Sequence, residues 1–291
     1  MHKGSKGFNI INITLMTLIL FITLYPFWYV FAVSFNEGKD AARGGIYFWP
    51  RIFTLENYEA VFRNKDLTTA FTISILRTIA GTVVNVLFTG MVAFAMSKTH
   101  LIGRRIYMLL GTITLFFGGG LIPYFLLIRD LGLKNNFLVY ILPAMFNFYN
   151  MIIMMTFFRE LPGELCESAE LDGAGDLRIF LSIILPLSKP ILATMALFAG
   201  VYHWNDFFMA VLFIDRRELL PIQTVLFKIV AEGEAQRMLS RLPSAVAIRR
   251  TLTSEAIKLA TMVVTTVPVI CVYPFLQKYF VKGMLIGSVK G

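Results

Sequence analysis

Residues 7–36 form an apolar run, GFNIINITLMTLILFITLYPFWYVFAVSFN, that contains no charged side chain. A helix of about 20 apolar residues is long enough to cross the hydrocarbon core of a bilayer. Lys3 and Lys6 precede the run, as basic residues precede the core of a signal peptide, but such a core has only about 7 to 15 residues. The run therefore predicts a helix that spans the membrane and is retained.

The composition of the whole chain also indicates a membrane protein. Of its 291 residues, 57% are hydrophobic and 15% are charged, and the mean hydropathy is +0.69. This charged fraction is too low for a water-soluble surface. The net charge of +9 does not indicate nucleic acid, because no basic stretch alternates with a polar, soluble fold. We expect lipid around the chain and basic residues in the loops that flank its helices.

Five further apolar runs bring the number of predicted spans to six. They are Thr78–Ser97 (starting nearer Leu67, with Arg77 inside), Ile106–Ile128, Asn135–Phe158, Pro190–Ile214 (interrupted by Asp206) and Leu259–Gln277. Unsatisfied backbone groups are costly in hydrocarbon, so these runs should be helices and not lipid-exposed strands. The sequence predicts an all-α membrane protein with six transmembrane helices and a single domain over residues 1–291.

The basic residues near the helix ends predict the orientation of the chain. Lys3 and Lys6 place the N-terminus in the cytoplasm, and six spans then place the C-terminus there too. The short loop 98–105, with three basic residues, agrees. The outward loop at about residues 215–258 is also basic, but long loops cross a membrane largely regardless of charge.

Between the fourth and fifth runs lies a polar segment, Leu161–Pro190, which this topology places in the cytoplasm. Its acidic residues stand near the positive end of a helix dipole, after Pro162 in the first turn: Glu164, Glu167 and Glu170. Asp172 and Gly173 should end this helix, since glycine readily takes the left-handed conformation of a C-terminal cap. A second amphipathic helix is predicted over Asp176–Leu185, stopping at Pro186.

This segment resembles the "EAA" loop of binding-protein-dependent ABC importer permeases. The residues that carry the resemblance are Glu167-Ser168-Ala169, Asp172-Gly173-Ala174, Phe180, Ile183, Leu185-Pro186 and Pro190. Gly118–Gly120 with Pro123, Trp204-Asn205-Asp206 and the tail from Gln277 to Gly291 are similar to the carbohydrate branch of that family. Within it, the chain is similar to the maltose-type second permease and to permeases for uronate oligosaccharides such as alginate.

The resemblance implies a type I ABC importer permease fold in which Leu161–Pro190 carries a cytoplasmic coupling helix. In that family the helix docks in a groove of an ATPase subunit, so Glu167 would contact basic groups and Ala169 would allow close packing. Asp172 and Gly173 would shape the turn. The set implied for coupling is Glu167, Ala169, Asp172, Gly173, Ala174 and Pro186.

The resemblance also implies the partners and the location. They are a second, different permease subunit, two cytoplasmic ABC ATPase subunits and an extracytoplasmic solute-binding protein, in the inner membrane of a bacterium. The chain has no G-x-x-x-x-G-K-[ST] loop, so ATP and Mg²⁺ should belong to the ATPase subunits. Three scattered histidines and two cysteines offer no metal-ligand spacing, and we expect no cofactor in this chain.

Polar residues within the spans are candidates for the path of the transported solute. They are Asn147, Tyr149 and Asn150 in the fourth run and Trp204, Asn205 and Asp206 in the fifth. Trp204 could stack on a sugar ring, but for Asn205 and Asp206 we favour bonds to neighbouring helices, alone or together with a role in the path. The first group could equally make such bonds. Arg77 either faces a partner or cavity, or extends to the membrane interface.

Two further features leave alternatives open. Gly118–Gly120 and Pro123 predict a kinked or unwound third span, which could serve as a hinge or allow close packing. Arginines of the outward loop could attract an acidic sugar or a binding protein, or simply be solvated: Arg216, Arg217, Arg237, Arg241, Arg249 and Arg250.

Three rival functions are an ion-coupled secondary transporter, an intramembrane enzyme and a receptor without transport. The first would need no ATPase. The second would need a catalytic pair, for which Asp206 with His203 three positions earlier is a poor basis.

Overall fold

The computed structural model describes residues 6–240 and 255–288. Within these residues the regular structure is helical, with one isolated antiparallel bridge between Asn36 and Phe53. The all-α prediction is therefore confirmed. The chain forms two compact units, one of Met1–Thr68 with Val225–Pro268 and the other of Thr69–Thr224 with Val269–Gly291.

Three long apolar helices in the described residues match the first, second and last predicted spans. They are α1 (Lys6–Ser34), α4 (Lys65–Ser97) and α14 (Glu255–Ser288). Each is long and apolar enough to cross a membrane, α14 through its part Glu255–Val272. Between α1 and α4 lie two short helices, α2 (Gly38–Ala41) and α3 (Glu56–Arg63).

The third predicted span is broken, as its glycines indicated. It consists of α5 (Arg104–Phe116) and α6 (Leu121–Asp130), which are bent by 117° at residues 117–120. Gly120 has a φ of +84°, a conformation that favours glycine. The expected kink is confirmed, and Ile106–Ile128 is not one straight helix.

The fourth predicted span is helical only in its second half, so a single helix over Asn135–Phe158 was wrong. Asn135 has a φ of +55°, a 3-10 turn occupies Phe137–Tyr140, and α7 begins only at Phe148 and ends at Arg159. Twelve residues of helix rise about 18 Å, which is less than the hydrocarbon thickness of about 30 Å.

The fifth predicted span is broken at Asp206 and is preceded by Leu161–Pro190, which is called the coupling segment after the role predicted for it. The coupling segment contains α8 (Gly163–Leu171), α9 (Asp176–Ile179), a π-helical turn (Phe180–Ile184) and α10 (Leu185–Leu187). A bend of 89° separates Asp176–Leu187 from α11 (Lys189–Asn205), and α12 (Phe208–Phe213) follows. Beyond it lie a 3-10 turn (Arg217–Leu219) and α13 (Ile222–Ser240).

Five of the six predicted spans have a counterpart among the described helices, three as single long helices and two as bent pairs, and the fourth does not. In residues 6–240 and 255–288, three helices are long and apolar enough to cross a membrane, or up to five if each bent pair is one span. Hydropathy detects apolar length, but it does not detect a break of a few residues within an apolar run.

In the core of the second unit, α4, α7 and α11 pack around the π-helical turn of the coupling segment. Met154 and Met195 are fully buried there beside Phe180, whose ring stacks on Phe94 with centroids 5.8 Å apart. Methionine side chains are flexible and fill irregular gaps between helices.

Gly81 of α4 allows the close approach of α11 in the same unit. A Cβ at position 81 would lie 2.4 Å from ring atoms of His203, which is buried and has little room to move. Gly200 of α11 is a matched position, because a Cβ there would meet Thr82 Oγ1 at an ordinary 3.6 Å.

We therefore expect Gly81→Ala to lower the free energy of unfolding by about 1–3 kcal/mol through overpacking. Gly200→Ala should leave it nearly unchanged. Unfolding in mixed micelles, followed by circular dichroism, measures both. If His203→Ala did not relieve the defect of Gly81→Ala, the clash with this ring would not be its cause.

Candidate functional site

The turn of the coupling segment is a closed helix cap. Gly173 has a φ of +79°, the Gly173 N–H donates to the Glu170 carbonyl (3.0 Å), and the Ala174 N–H donates to the Ala169 carbonyl (2.9 Å). This pair of hydrogen bonds around a left-handed glycine is the Schellman motif. The predicted helix end at Asp172 and Gly173 is confirmed.

The two sides of this segment have different environments. Ala169 and Ala174 are half-buried against the core, whereas Glu167 and Asp172 are exposed. Leu171 is 90% exposed at the tip of the turn. The segment thus presents an apolar tip flanked by carboxylates.

Pro186 lies inside α10, and the helical segment ends at Leu187 and not at Pro186 as predicted. Proline lacks the N–H that an α-helix needs in its interior. A π-helical turn, Phe180–Ile184, directly precedes α10. In such a turn the backbone hydrogen bonds join residues five positions apart in place of the four of an α-helix.

Lys98, which was not a candidate in the sequence, contacts both flanks of the turn. Its Nζ lies 3.1 Å from Glu170 Oε1 in α8 and also bonds Asp176 Oδ1 in α9. These partners are 72 and 78 residues away along the chain, so no local sequence pattern indicates them.

A second polar centre lies in the same unit, where Arg77 of α4 meets Asp206. Arg77 Nη2 donates to Asp206 Oδ2 at 2.7 Å, and the two side chains are only 1% and 11% exposed. The guanidinium also lies over the Tyr140 ring, 4.5 Å from its centroid. Of the two alternatives for Arg77, the structure shows the partner and not extension to the membrane interface.

Asp206 uses its two oxygens for different purposes. Oδ2 binds Arg77, while Oδ1 accepts from the backbone N–H groups of Phe208 and Met209 at 3.1 and 3.3 Å. These are the first residues of α12, whose N–H groups have no partner within the helix. The Asp206 carboxylate therefore caps the start of α12 and also connects the break between α11 and α12 to α4.

The neighbours of Asp206 in α11 are arranged as follows. Asn205 donates to the Val201 carbonyl (3.0 Å) and accepts from Gln223 (3.3 Å). Trp204 is 7% exposed, with its ring edge-on to Phe71. Asp206 thus bonds a neighbouring helix, which was one of the two alternatives for this group. Trp204 could stack on a sugar only if its buried ring became exposed.

The polar group of the fourth predicted span lies at the start of α7. Asn147 caps the helix by accepting from the Asn150 N–H at 2.9 Å. Tyr149, one residue into the helix, is 59% exposed. Asn150 is half-buried beside it. These three residues thus share one helix end, and their role in solute transport stays a prediction.

The arginines of the loop predicted to face outward, at about residues 215–258, are only partly described. Arg216 and Arg217 are exposed at the start of the 3-10 turn, and Arg237 belongs to α13. Arg241, Arg249 and Arg250 lie outside the described residues.

The chain is similar to known proteins along nearly its full length. Residues 3–286 match the family described as "Binding-protein-dependent transport system inner membrane component". Protein LplC of Bacillus subtilis (strain 168) is 39% identical, covering 99% of this chain and 97% of that protein. The polygalacturonan/rhamnogalacturonan transport system permease protein YtcP of the same bacterium is 36% identical, covering 99% of both chains.

The chain is also similar to a solved structure, the crystal structure of a bacterial ABC transporter involved in the import of the acidic polysaccharide alginate. The match has a TM-score of 0.84 and 31% identity, and it covers 96% of this chain and 100% of the other.

Proposed function

Because the chain belongs to the family of binding-protein-dependent transport system inner membrane components, we propose that it forms, with a second and different permease, the path of an acidic oligosaccharide. The family is a transport component of an ABC importer and not an enzyme. This membership sets aside the secondary transporter, the intramembrane enzyme and the receptor as rivals.

The coupling role rests above all on the exposed turn around Gly173. A capped turn is held in one conformation by its own hydrogen bonds, so it can dock without first being ordered. Leu171 at its tip supplies apolar area, and Glu167 and Asp172 supply negative charge for a basic groove. Such a surface suits a cytoplasmic ATPase subunit that binds ATP and Mg²⁺, with one such subunit for each permease.

This role requires the topology predicted from the basic residues. The coupling segment then lies in the cytoplasm, with both chain termini on that side and the outward loop facing an extracytoplasmic solute-binding protein. The whole chain acts as one transmembrane domain of the importer in the bacterial inner membrane.

The substrate class is supported by similar proteins and by charge. Names of similar proteins include polygalacturonan and rhamnogalacturonan, arabinooligosaccharides, and the acidic polysaccharide alginate. Polygalacturonan, rhamnogalacturonan and alginate contain uronate units, which carry carboxylates. The chain has a net charge of +9, and Arg216 and Arg217 are exposed in the outward loop. Positive charge at an entrance raises the local concentration of an anionic solute.

The start of α7 is the part of the path we propose for contact with the sugar. Arg159 ends α7 next to the coupling segment, so the other end of the helix lies about 18 Å away along its axis. If α7 runs along the membrane normal from the cytoplasmic surface, this length reaches past the middle of a hydrocarbon core of about 30 Å. Asn147, Tyr149 and Asn150 therefore offer an aromatic ring and amide groups inside the membrane, where polar groups commonly mark a solute path.

Uptake by the complete importer tests this proposal. The tagged chain is purified from its native membrane with its associated subunits and is reconstituted in liposomes with the binding protein. We expect ATP-dependent uptake of labelled oligogalacturonate or oligoalginate and little uptake of neutral maltooligosaccharide. Uptake of the neutral sugar alone would contradict the substrate class, and uptake without ATP or an ATPase subunit would contradict the importer.

The same assay tests the path. Tyr149→Ala should raise the half-saturating sugar concentration about fivefold, since an aromatic contact contributes about 1 kcal/mol. Tyr107→Ala is the matched control, because Tyr107 is similarly exposed on α5. Equal effects of the two replacements would remove Tyr149 from the path.

A further inference from the structure

The ammonium of Lys98 bridges α8 and α9, the two helices that flank residues 172–175, which we call the coupling turn. Glu170 belongs to the last turn of α8, and Asp176 is the first residue of α9. Lys98 bonds a carboxylate oxygen of each, and its side chain is only 15% exposed. The turn is therefore closed on its inner side by a cation that neither helix supplies.

Lys98 extends from a chain segment that is itself held firmly. It directly follows α4, and the carbonyl of Met96 in the last turn of α4 accepts from Arg104 Nε at 2.9 Å and from Arg159 Nη2 at 3.4 Å. The ammonium also lies 5.2 Å from the centroid of the Phe94 ring. The end of α4 is thus tied to the start of α5 and to the end of α7.

The contacts of Lys98 favour its charged form. Burial by itself lowers the pKa of Lys98, but the hydrogen bonds to Asp176 and Glu170 and their charges outweigh burial, and the pKa is raised. A single exposed ion pair contributes little to a structure. Here the mostly buried ammonium of Lys98 bonds two carboxylates, one in each flanking helix. Its position between the two helices is therefore the relevant observation, and not the opposite charge alone.

We propose that Lys98 is a positioning residue that fixes the coupling turn to α4, so that a displacement of the turn by the ATPase is passed to that helix. The same helix carries Arg77, 21 positions before Lys98 and hence about 32 Å away along the axis. Arg77 holds Asp206 at the break between α11 and α12. Lys98 therefore connects the coupling turn with the helix that anchors this break. The proposal rests on the coupling role given above.

Distance measurements between two spin labels test the positioning directly. The labels are placed on Leu177→Cys, which is exposed in α9 away from the docking tip, and on Leu87→Cys on the exposed side of α4, with Cys166→Ser and Cys271→Ser, in the purified nucleotide-free complex. Lys98→Met keeps the length of the side chain and removes its charge, and we expect it to widen the distance distribution. Lys98→Arg should keep it narrow. This readout needs no transported sugar, so it stands even if the proposed substrate is wrong.

A functional readout accompanies the distances. Lys98→Met should lower the solute imported per ATP hydrolysed by about fivefold or more, as expected for loss of a coupling free energy. Lys134→Met is the control, because Lys134 pairs with one exposed carboxylate, Asp215, at 3.2 Å. If Lys98→Met does not assemble, Glu170→Gln with Asp176→Asn removes the same contacts from the exposed side. An unchanged distance distribution, or a Lys98→Arg variant as defective as Lys98→Met, would overturn the proposal.

Discussion

Removal of either partner of the Arg77–Asp206 pair is expected to lower the free energy of unfolding by about 3–5 kcal/mol, because the remaining charge stays buried without compensation. The suitable variants are Arg77→Met and Asp206→Asn. Asn keeps an oxygen that can accept from the start of α12, so Asp206→Asn tests the charge and not the cap. Among the described residues, Nε and Nη1 of Arg77 have no hydrogen-bond partner, which leaves Asp206 as its main polar contact.

Unfolding in mixed micelles of a mild detergent and dodecyl sulfate, followed by circular dichroism, provides the measurement. The double variant Arg77→Met with Asp206→Asn should recover much of the loss, since it leaves no unpaired charge. Glu59→Gln is the matched control: Glu59 pairs with Arg63 at 3.2 Å, but both side chains are exposed, so a change below about 1 kcal/mol is expected. A double variant that is less stable than both single variants would show that packing volume, and not charge, is what the pair provides.

The sequence predicted both members of this pair as unusual, but it did not predict that they meet. Ionisable residues in apolar runs are visible locally, because each one interrupts a stretch of hydrophobic residues. Their pairing spans 129 positions and depends on how α4 packs against α11. Lys98 and its two carboxylates are a second case, in which every partner is a common surface residue type and only the fold brings them together.

The fourth predicted span shows a different limit. The signals that break it are local: Asn135, Pro143 and Asn147 all lie within the apolar run. A proline and helix-capping asparagines predict helix ends. A hydropathy average over about 19 residues conceals three such residues among many apolar ones.

The cap of the coupling turn was predictable because its backbone hydrogen bonds join residues that are close in sequence. The cap around Gly173 joins residues at most five positions apart, and glycine is the residue that such a cap favours. The segment therefore takes this shape for local reasons. What the sequence could not provide was the support beneath it, which comes from Lys98 and from Phe180 in the core.

Gly173→Val is expected to lower solute uptake at least about tenfold while the complex still assembles. A non-glycine residue in the left-handed conformation costs about 1–2 kcal/mol, a β-branched one is a clear outlier, and about 1.4 kcal/mol taken from docking is a factor of ten. Gly175→Val is a matched control, since a Cβ would meet nothing within 4 Å at either position, but Gly175 has a φ of −74° that valine readily adopts. Uptake and ATP hydrolysis are measured on the same reconstituted importer.

Whether ATP hydrolysis falls together with uptake or continues without it distinguishes two causes of the lost uptake. If Gly173→Val only weakens docking, hydrolysis per complex falls together with uptake and is restored by excess ATPase subunit. If it changes how the docked turn moves, hydrolysis continues without uptake, and adding Glu167→Gln should make the uncoupling more complete. Gly173→Asn provides a graded test, because asparagine tolerates the left-handed conformation better than valine does. Equal loss of uptake in the Asn and Val variants would mean that the missing side chain, and not the backbone conformation, is what the ATPase requires at this turn.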